Sequence, residues 1–190
     1  MELIERIDLF KRELLLIKDD NIRRLVEVCL CNAPDYIFVD CPSSTSGKYH
    51  PIDEISADGT ILHTKRVVAI AYELSRGLDI SDKSDIVVAA AILHDMVKQG
   101  FESGGHTVKD HPQLMADLLL KVYIDGFKDL ISEESISQIY WAIAHHYGPW
   151  SLKRTKKPMD EYTLVELSVY LADYICSRRY VKVDYNNRED

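Results

Sequence analysis

Between Ala89 and Gly100 the chain reads AAAILHDMVKQG, an apolar run that closes on an adjacent histidine and aspartate before a glycine ends it. Apolar residues ahead of a charged pair and a Gly behind it describe a helix running out of a hydrophobic core. A carboxylate placed there needs a counter-charge, because burying it alone is costly. Any fold for this chain must accommodate a helix with chemistry at its C-terminal end.

Apolar periodicity predicts seven helical segments, near Glu2 to Lys18, Asn21 to Asn32, Thr60 to Arg76, Ser81 to Val97, Asp110 to Tyr123, Ser132 to Tyr147 and Glu161 to Arg179. The first sets Leu3, Ile7, Phe10, Leu14 and Ile17 on one face. Ser81 followed by Ser84 and Asp85 suits a capped start, and Pro112 suits a first helical turn. No alternation supports a sheet, so the expected class is all-α, a helical bundle. Between the second and third helices, PDYIFVDCPSSTSGKYHPIDEISADG gathers prolines, glycines and hydroxyl residues into a long irregular connection, with one short strand expected at Tyr36 to Val39. Loops of that length inside compact domains are often functional. A chain of 190 residues without repeats is expected to form a single domain over 1–190, with N-terminal helices and loop in 1–57 and a helical core in 58–180.

A net charge of −8 argues against a broad footprint on long nucleic acid. The opening MELIERIDLFKRELLLIKDD mixes charge with apolar residues at helical spacing, unlike a signal peptide, and no stretch approaches the roughly 20 apolar residues of a membrane span. A cytoplasmic protein without membrane partners is expected. Cys29, Cys31, Cys41 and Cys176 show no CxxC spacing, so reduced thiols are expected rather than a zinc site.

Five of the seven histidines, His63, His94, His111, His145 and His146, fall on or at the ends of the later helices. Asp95 and Asp173 join them, the latter within VYLADYICSRR. A single helical His is usually an ordinary core or surface residue, but a carboxylate on an apolar helix such as that of Asp173 calls for a cation. Imidazoles with carboxylates suit Mn, Fe, Co, Ni, Zn or Mg, and such a set can hold two metals. The order His63, His94-Asp95, His111, His145-His146, Asp173 resembles the HD superfamily of metal-dependent phosphohydrolases. Local wording agrees in LHTKRV, AAILHDMVK, DHPQLMADLL, WAIAHH and VYLADYI, from about Leu62 to Arg179.

The resemblance implies that His63, His94, Asp95 and Asp173 hold one divalent metal, with Asp95 bridging to a second completed by His111, His145 and His146. Adjacent helical side chains diverge by about 100°, which sets His145 and His146 on different faces, and the resemblance to branches that keep only the second histidine favours His146. Such a metal pair activates a water for attack at phosphorus. Asp95 and Lys98 are the expected catalytic pair. Lys98 lies three residues on from Asp95, on roughly the same helix face, and matches an HD-xx-K variant whose basic residue meets the substrate phosphate. Tyr147, Trp150, Arg154 and Lys157, in YGPWSLKRTKKPM, are expected to help bind a nucleotide, as are Lys48 and His50 in PSSTSGKYHP. That loop is a lid candidate and not a Walker A sequence.

Within the superfamily, the wording is most similar to the small bacterial branch that hydrolyses diadenosine tetraphosphate, although the first fifty or so residues lie outside that likeness. HHYGPW departs from the HD-GYP cyclic-dinucleotide phosphodiesterases. The expected activity is hydrolysis of a phosphoester or phosphoanhydride bond of a small nucleotide. The alternatives are a cyclic (di)nucleotide phosphodiesterase and a non-catalytic nucleotide-binding module.

Overall fold

The structure, a computed structural model, describes residues 2–44 and 46–183. Thr45 of the PSSTSGKYHP loop, and 184–190 at the end of the expected domain, lie outside the described residues. Those described form α-helices and short 3-10 turns, with no strand among them. The helices are α1 (Leu3–Leu9), α2 (Lys11–Leu14), α3 (Asp20–Asn32), α4 (Tyr36–Val39), α5 (Gly59–Gly77), α6 (Ser84–Leu93), α7 (His111–Gly126), α8 (Glu133–His145) and α9 (Leu164–Cys176).

At the centre is α6. Its sequence is apolar on every side, and Ile86 to Leu93 are all buried, as expected of a helix with no polar face. Helices α5, α8, α3 and α9 pack around it. The surrounding helices bring fully buried side chains such as Phe10, Leu25, Leu30, Met115, Leu119 and Ile143. Each contributes about 1.5–3 kcal/mol of burial free energy. Side-chain caps define several starts. Asp19 Oδ1 accepts from the Asn21 and Ile22 amides ahead of α3. Ser132 caps α8, and Thr163 with Glu166 forms a reciprocal capping box on α9.

Four sequence expectations are corrected. Tyr36–Val39 is a helical turn rather than a strand, because Ile37 and Phe38 are buried side by side, which alternation forbids. The Tyr36 hydroxyl pins this turn to the later chain, donating to Gly100 O at 2.7 Å and accepting from the Gln99 amide at 2.8 Å. The first segment breaks at Phe10, whose backbone leaves helical geometry as its ring enters the core. Ser81 opens a 3-10 turn and does not cap α6. Asp85 instead accepts from the amides of Lys18 and Asp19 at 3.0 and 2.7 Å, tying the start of α6 to that of α3. The α-helix also ends earlier than expected, at Leu93, and the chain from His94 continues in tight turns closed by i→i+3 bonds to Gly100, where φ is +83°.

Among the described residues no helix is long and apolar enough to cross a membrane. All four cysteines are free thiols.

Candidate metal centre

Ends of helices do most of the positioning. His94 follows the last residue of α6, His111 opens α7 and His146 follows the last residue of α8. His63 and Asp173 project from within α5 and α9, which pack on each other. The four imidazoles are buried and form a continuous row, with centroid separations of 5.6 Å for His63–His94, 4.9 Å for His94–His146 and 5.1 Å for His111–His146. Asp95 Oδ1 lies 3.0 Å from His111 Nε2 and 3.6 Å from His146 Nε2, and its Oδ2 lies 3.6 Å from His94 Nε2. Asp173 Oδ1 lies 3.0 Å from His63 Nε2.

The tautomers follow from the chain itself. Three of the rings donate Nδ1–H to the carbonyl three residues earlier: His94 to Ala91 at 2.7 Å, His111 to Val108 at 2.6 Å and His146 to Ile143 at 2.8 Å. For His94 and His146 those carbonyls are available because each ring follows the last turn of a helix, and Val108 lies in the turn ahead of α7. His63 lies inside a helix and has no such carbonyl. Its Nδ1 is held by Glu54 Oε2 at 3.1 Å, from the 3-10 turn Ile52–Ile55. All four Nε2 atoms therefore turn inward, the arrangement that outer hydrogen bonds impose on metal-binding histidines.

This donor set fits a divalent cation. His94 Nε2 is buried without a hydrogen-bond partner, a costly condition for a polar atom. His111 Nε2 and His146 Nε2 face each other at 3.2 Å. With both protons fixed on Nδ1, those lone pairs repel unless a cation or a shared proton lies between them. Three groups have ligand atoms close enough to hold an ion: His63–His94–Asp173, His94–Asp95–His146 and, behind His63, His50–Glu54–His63.

Electrostatics divides the imidazoles. Burial pushes His94 down to about 4, keeping its Nε2 lone pair unprotonated. Burial works against the charged form of His63 too, but Asp173 and Glu54 overcome it and raise the group to about 9. Asp95 is held well below the usual carboxylate range against its burial, by Lys98 and the neighbouring imidazoles. Lys98, itself buried, forms an ion pair with Asp95 Oδ2.

A cavity of about 430 Å³ opens onto this cluster, lined at its base by Asp95, Lys98, His111, His146 and Asp173. Its wall includes Ser43, Ser44, Ser46, Tyr49 and His50 of the irregular loop. His50 Nδ1 is 3.0 Å from Glu54 Oε2 and 2.9 Å from Ser43 Oγ. At the mouth, Trp150 stacks on Tyr174 at 6.0 Å, and the Arg178 guanidinium lies 4.5 Å from the Tyr174 ring and 5.1 Å from that of Tyr49. Tyr147 lies edge-on to His111 at 5.1 Å.

Of the residues singled out in the sequence, His63, His94, Asp95, His111, His146 and Asp173 come together, and Lys98, His50, Tyr147 and Trp150 line their cavity. His145 does not join them. The divergence of adjacent helical side chains turns it to the other side of α8, where its Nδ1 meets Glu166 Oε1 at 2.5 Å. Arg154 and Lys157 line that other side as well, since the chain after Trp150 passes around the end of α8. Lys48 is exposed, lies over the Tyr49 ring at 5.1 Å, and is not part of the cavity wall. Sequence reasoning missed Glu54, Arg66, Tyr174 and Arg178. Arg66 joins Glu54 Oε1 at 2.7 Å and Asp53 Oδ2 at 2.6 Å.

An all-helical fold that gathers four imidazoles and two carboxylates beneath one cavity defines a candidate metal centre. Residues 60–177 match the HD domain, more than half of the chain, and the protein belongs to that family. HD domains bind divalent metals, and membership implies metal-dependent phosphohydrolase activity in general. Comparison with curated proteins and with solved structures gives no match.

Proposed function

We propose that the protein hydrolyses a phosphoester or phosphoanhydride bond of a nucleotide, using two divalent cations. The observation that carries this reading is the inward convergence of four Nε2 atoms and two carboxylates beneath a cavity rimmed by aromatic rings and a guanidinium. His63, His94, Asp95 and Asp173 would hold one cation, with His111, His146 and Asp95 holding the other. When bound, such cations lower the pKa of water toward neutrality and neutralise charge on phosphate oxygens.

The chain's own groups supply the rest. Lys98 sits where a phosphate oxygen would arrive, and burial strengthens its field. Trp150 and Tyr174 offer a stacking surface for a base, and Arg178 offers a fork for a phosphate remote from the reacting one. Ser44 and Ser46 contribute hydroxyl groups from the loop. The cavity volume falls within the range of small-molecule sites.

The test is metal analysis of purified protein, then a screen of mono-, di- and trinucleotides, dinucleoside polyphosphates and cyclic nucleotides with Mn, Fe, Co, Ni, Zn or Mg. More than one equivalent of metal and turnover of a nucleotide are expected. Failure to take up any of these metals would sink the metal reading. Turnover confined to phosphoesters without a base would sink the nucleotide reading.

A further inference from the structure

The basic stretch after Trp150 folds against a second cavity, of about 570 Å³, on the far side of α8 from the metal centre. Its wall includes Trp141, His145, Arg154, Lys156, Lys157 and Glu166. Part of that wall is rigid. Glu166 accepts from the Thr163 amide at 2.7 Å, from Lys157 Nζ at 2.9 and 3.0 Å, and from His145 Nδ1. These bonds hold Glu166 down to about 2 although burial opposes its charge. His145 is only 6% exposed and lies flat against Trp141, with centroids 5.0 Å apart and planes 16° apart.

What this wall leaves over is specific. With Nδ1–H given to Glu166, His145 presents Nε2 as an acceptor, and among the described residues that nitrogen has no protein partner. Trp141 is 45% exposed, a large apolar surface to leave at a cavity wall. Lys157 is matched by Glu166, whereas Arg154 and Lys156 have no ion-pair partner among the described residues. Glu161 is the other acid in the wall, so the cavity carries a positive excess in a chain of net charge −8. A local concentration of cations with an aromatic face and an unpartnered ring nitrogen selects an anion that also carries a ring and a polar hydrogen.

We propose that this cavity is a second, non-catalytic binding site for a nucleoside monophosphate or a phosphate ester of that class. Its phosphate would lie on Arg154 and Lys156, its ring against Trp141, and an N–H or O–H would point to His145 Nε2. This goes beyond the hydrolytic reading and does not depend on it.

The two tryptophans make the site separately visible, because Trp141 lines this cavity and Trp150 lines the other. In Trp150→Phe protein, titration with AMP should change Trp141 emission saturably. Adding Arg154→Glu with Lys156→Glu should raise the Kd at least about tenfold, the equivalent of about 1.4 kcal/mol. His111→Ala should leave the Kd within about twofold, since that residue belongs to the metal centre. Both charge reversals are on exposed side chains, and circular dichroism checks that the helices are retained. No saturable change up to millimolar AMP overturns the proposal, as does a change that survives the double reversal or disappears with His111→Ala. Absence of hydrolysis with an intact Trp141 response would remove only the hydrolytic reading.

Discussion

Glu54→Gln is the most informative single change, because one buried carboxylate holds three titratable neighbours as well as the Ser43 hydroxyl. Oε1 accepts from Arg66, and Oε2 from the Nδ1 atoms of His50 and His63. A glutamine in the same place can keep its oxygen toward the two imidazoles or toward Arg66, but not both, and it carries no charge. At least one charge-assisted bond is lost, the Arg66 bond in the first orientation and both imidazole bonds in the second, costing about 1.5–3 kcal/mol of metal-free stability per bond. Arg66 keeps its paired contacts with Asp53, which sets the lower end of that range.

The effect on metal affinity has a pH dependence of definite sign. Removing a carboxylate that orients a ligand histidine weakens binding about 10- to 100-fold. Asp173 and this carboxylate together raise His63 from 6.5 to about 9, so a proton competes with the metal for Nε2 in the wild type. At pH 7 that competition is worth about a hundredfold, and the variant is partly relieved of it. The wild-type advantage should therefore be large at pH 8.5 and shrink as pH falls to 6.5. Metal-free stability runs the other way. A folded-state pKa raised above the unfolded value contributes stability fully below pH 6.5 and loses it as pH rises through about 9. Glu54→Gln should flatten that slope. Co(II) titration followed by visible absorption, with thermal melts of the stripped protein, measures both. Equal Co(II) affinity in variant and wild type at pH 8.5 would refute the reasoning.

Asp95→Asn should abolish hydrolysis and cost about 3–5 kcal/mol in the metal-free protein, since Lys98 is left buried without its counter-charge. Adding Lys98→Met should recover much of that stability and no activity, read by denaturant unfolding and turnover. Gly148→Ala should lower the melting temperature through a loss of about 1–3 kcal/mol, because φ is +53° there and a Cβ would fall 2.2 Å from Tyr170 Cε2. An unchanged melt would mean that Tyr170 moves aside freely. Arg178→Ala should raise KM several-fold with little change in kcat, because its guanidinium stacks at the cavity mouth, away from the reacting centre. Steady-state kinetics showing the reverse split would place Arg178 at the chemistry.

The helical class and the order of the metal-centre residues were legible because each rests on a local pattern. Apolar spacing marks a helix, and a carboxylate within VYLADYI is conspicuous on an apolar face. The four-residue run YIFV was too short to separate a strand from a helical turn, and burial on consecutive residues decided it. Glu54 escaped notice because a loop carboxylate carries no periodic signal. Its role depends on His63 being the one ring inside a helix, where no backbone carbonyl can hold Nδ1. The divergence of adjacent helical residues separated His145 from His146, and the family resemblance favoured His146. The placement of Arg154 and Lys157 was not readable, since charge near a site in sequence says nothing about which side of α8 the chain passes.

The loop that delivers Glu54 ends where it is clasped most tightly. Cys41 and Ser43 donate their amides to Ala57 O and Glu54 O at 2.7 and 2.9 Å, and a Cβ on Gly59 would fall 2.0 Å from Glu54 O. All of this lies before residue 60, where the match to the HD domain begins. A fragment trimmed to the matching stretch would retain every candidate ligand and still lose the acceptor of His63 Nδ1, along with the partners of Arg66. The boundary useful for expression is therefore not the boundary of the recognisable domain. A cut at residue 60 would discard the carboxylate that orients His63.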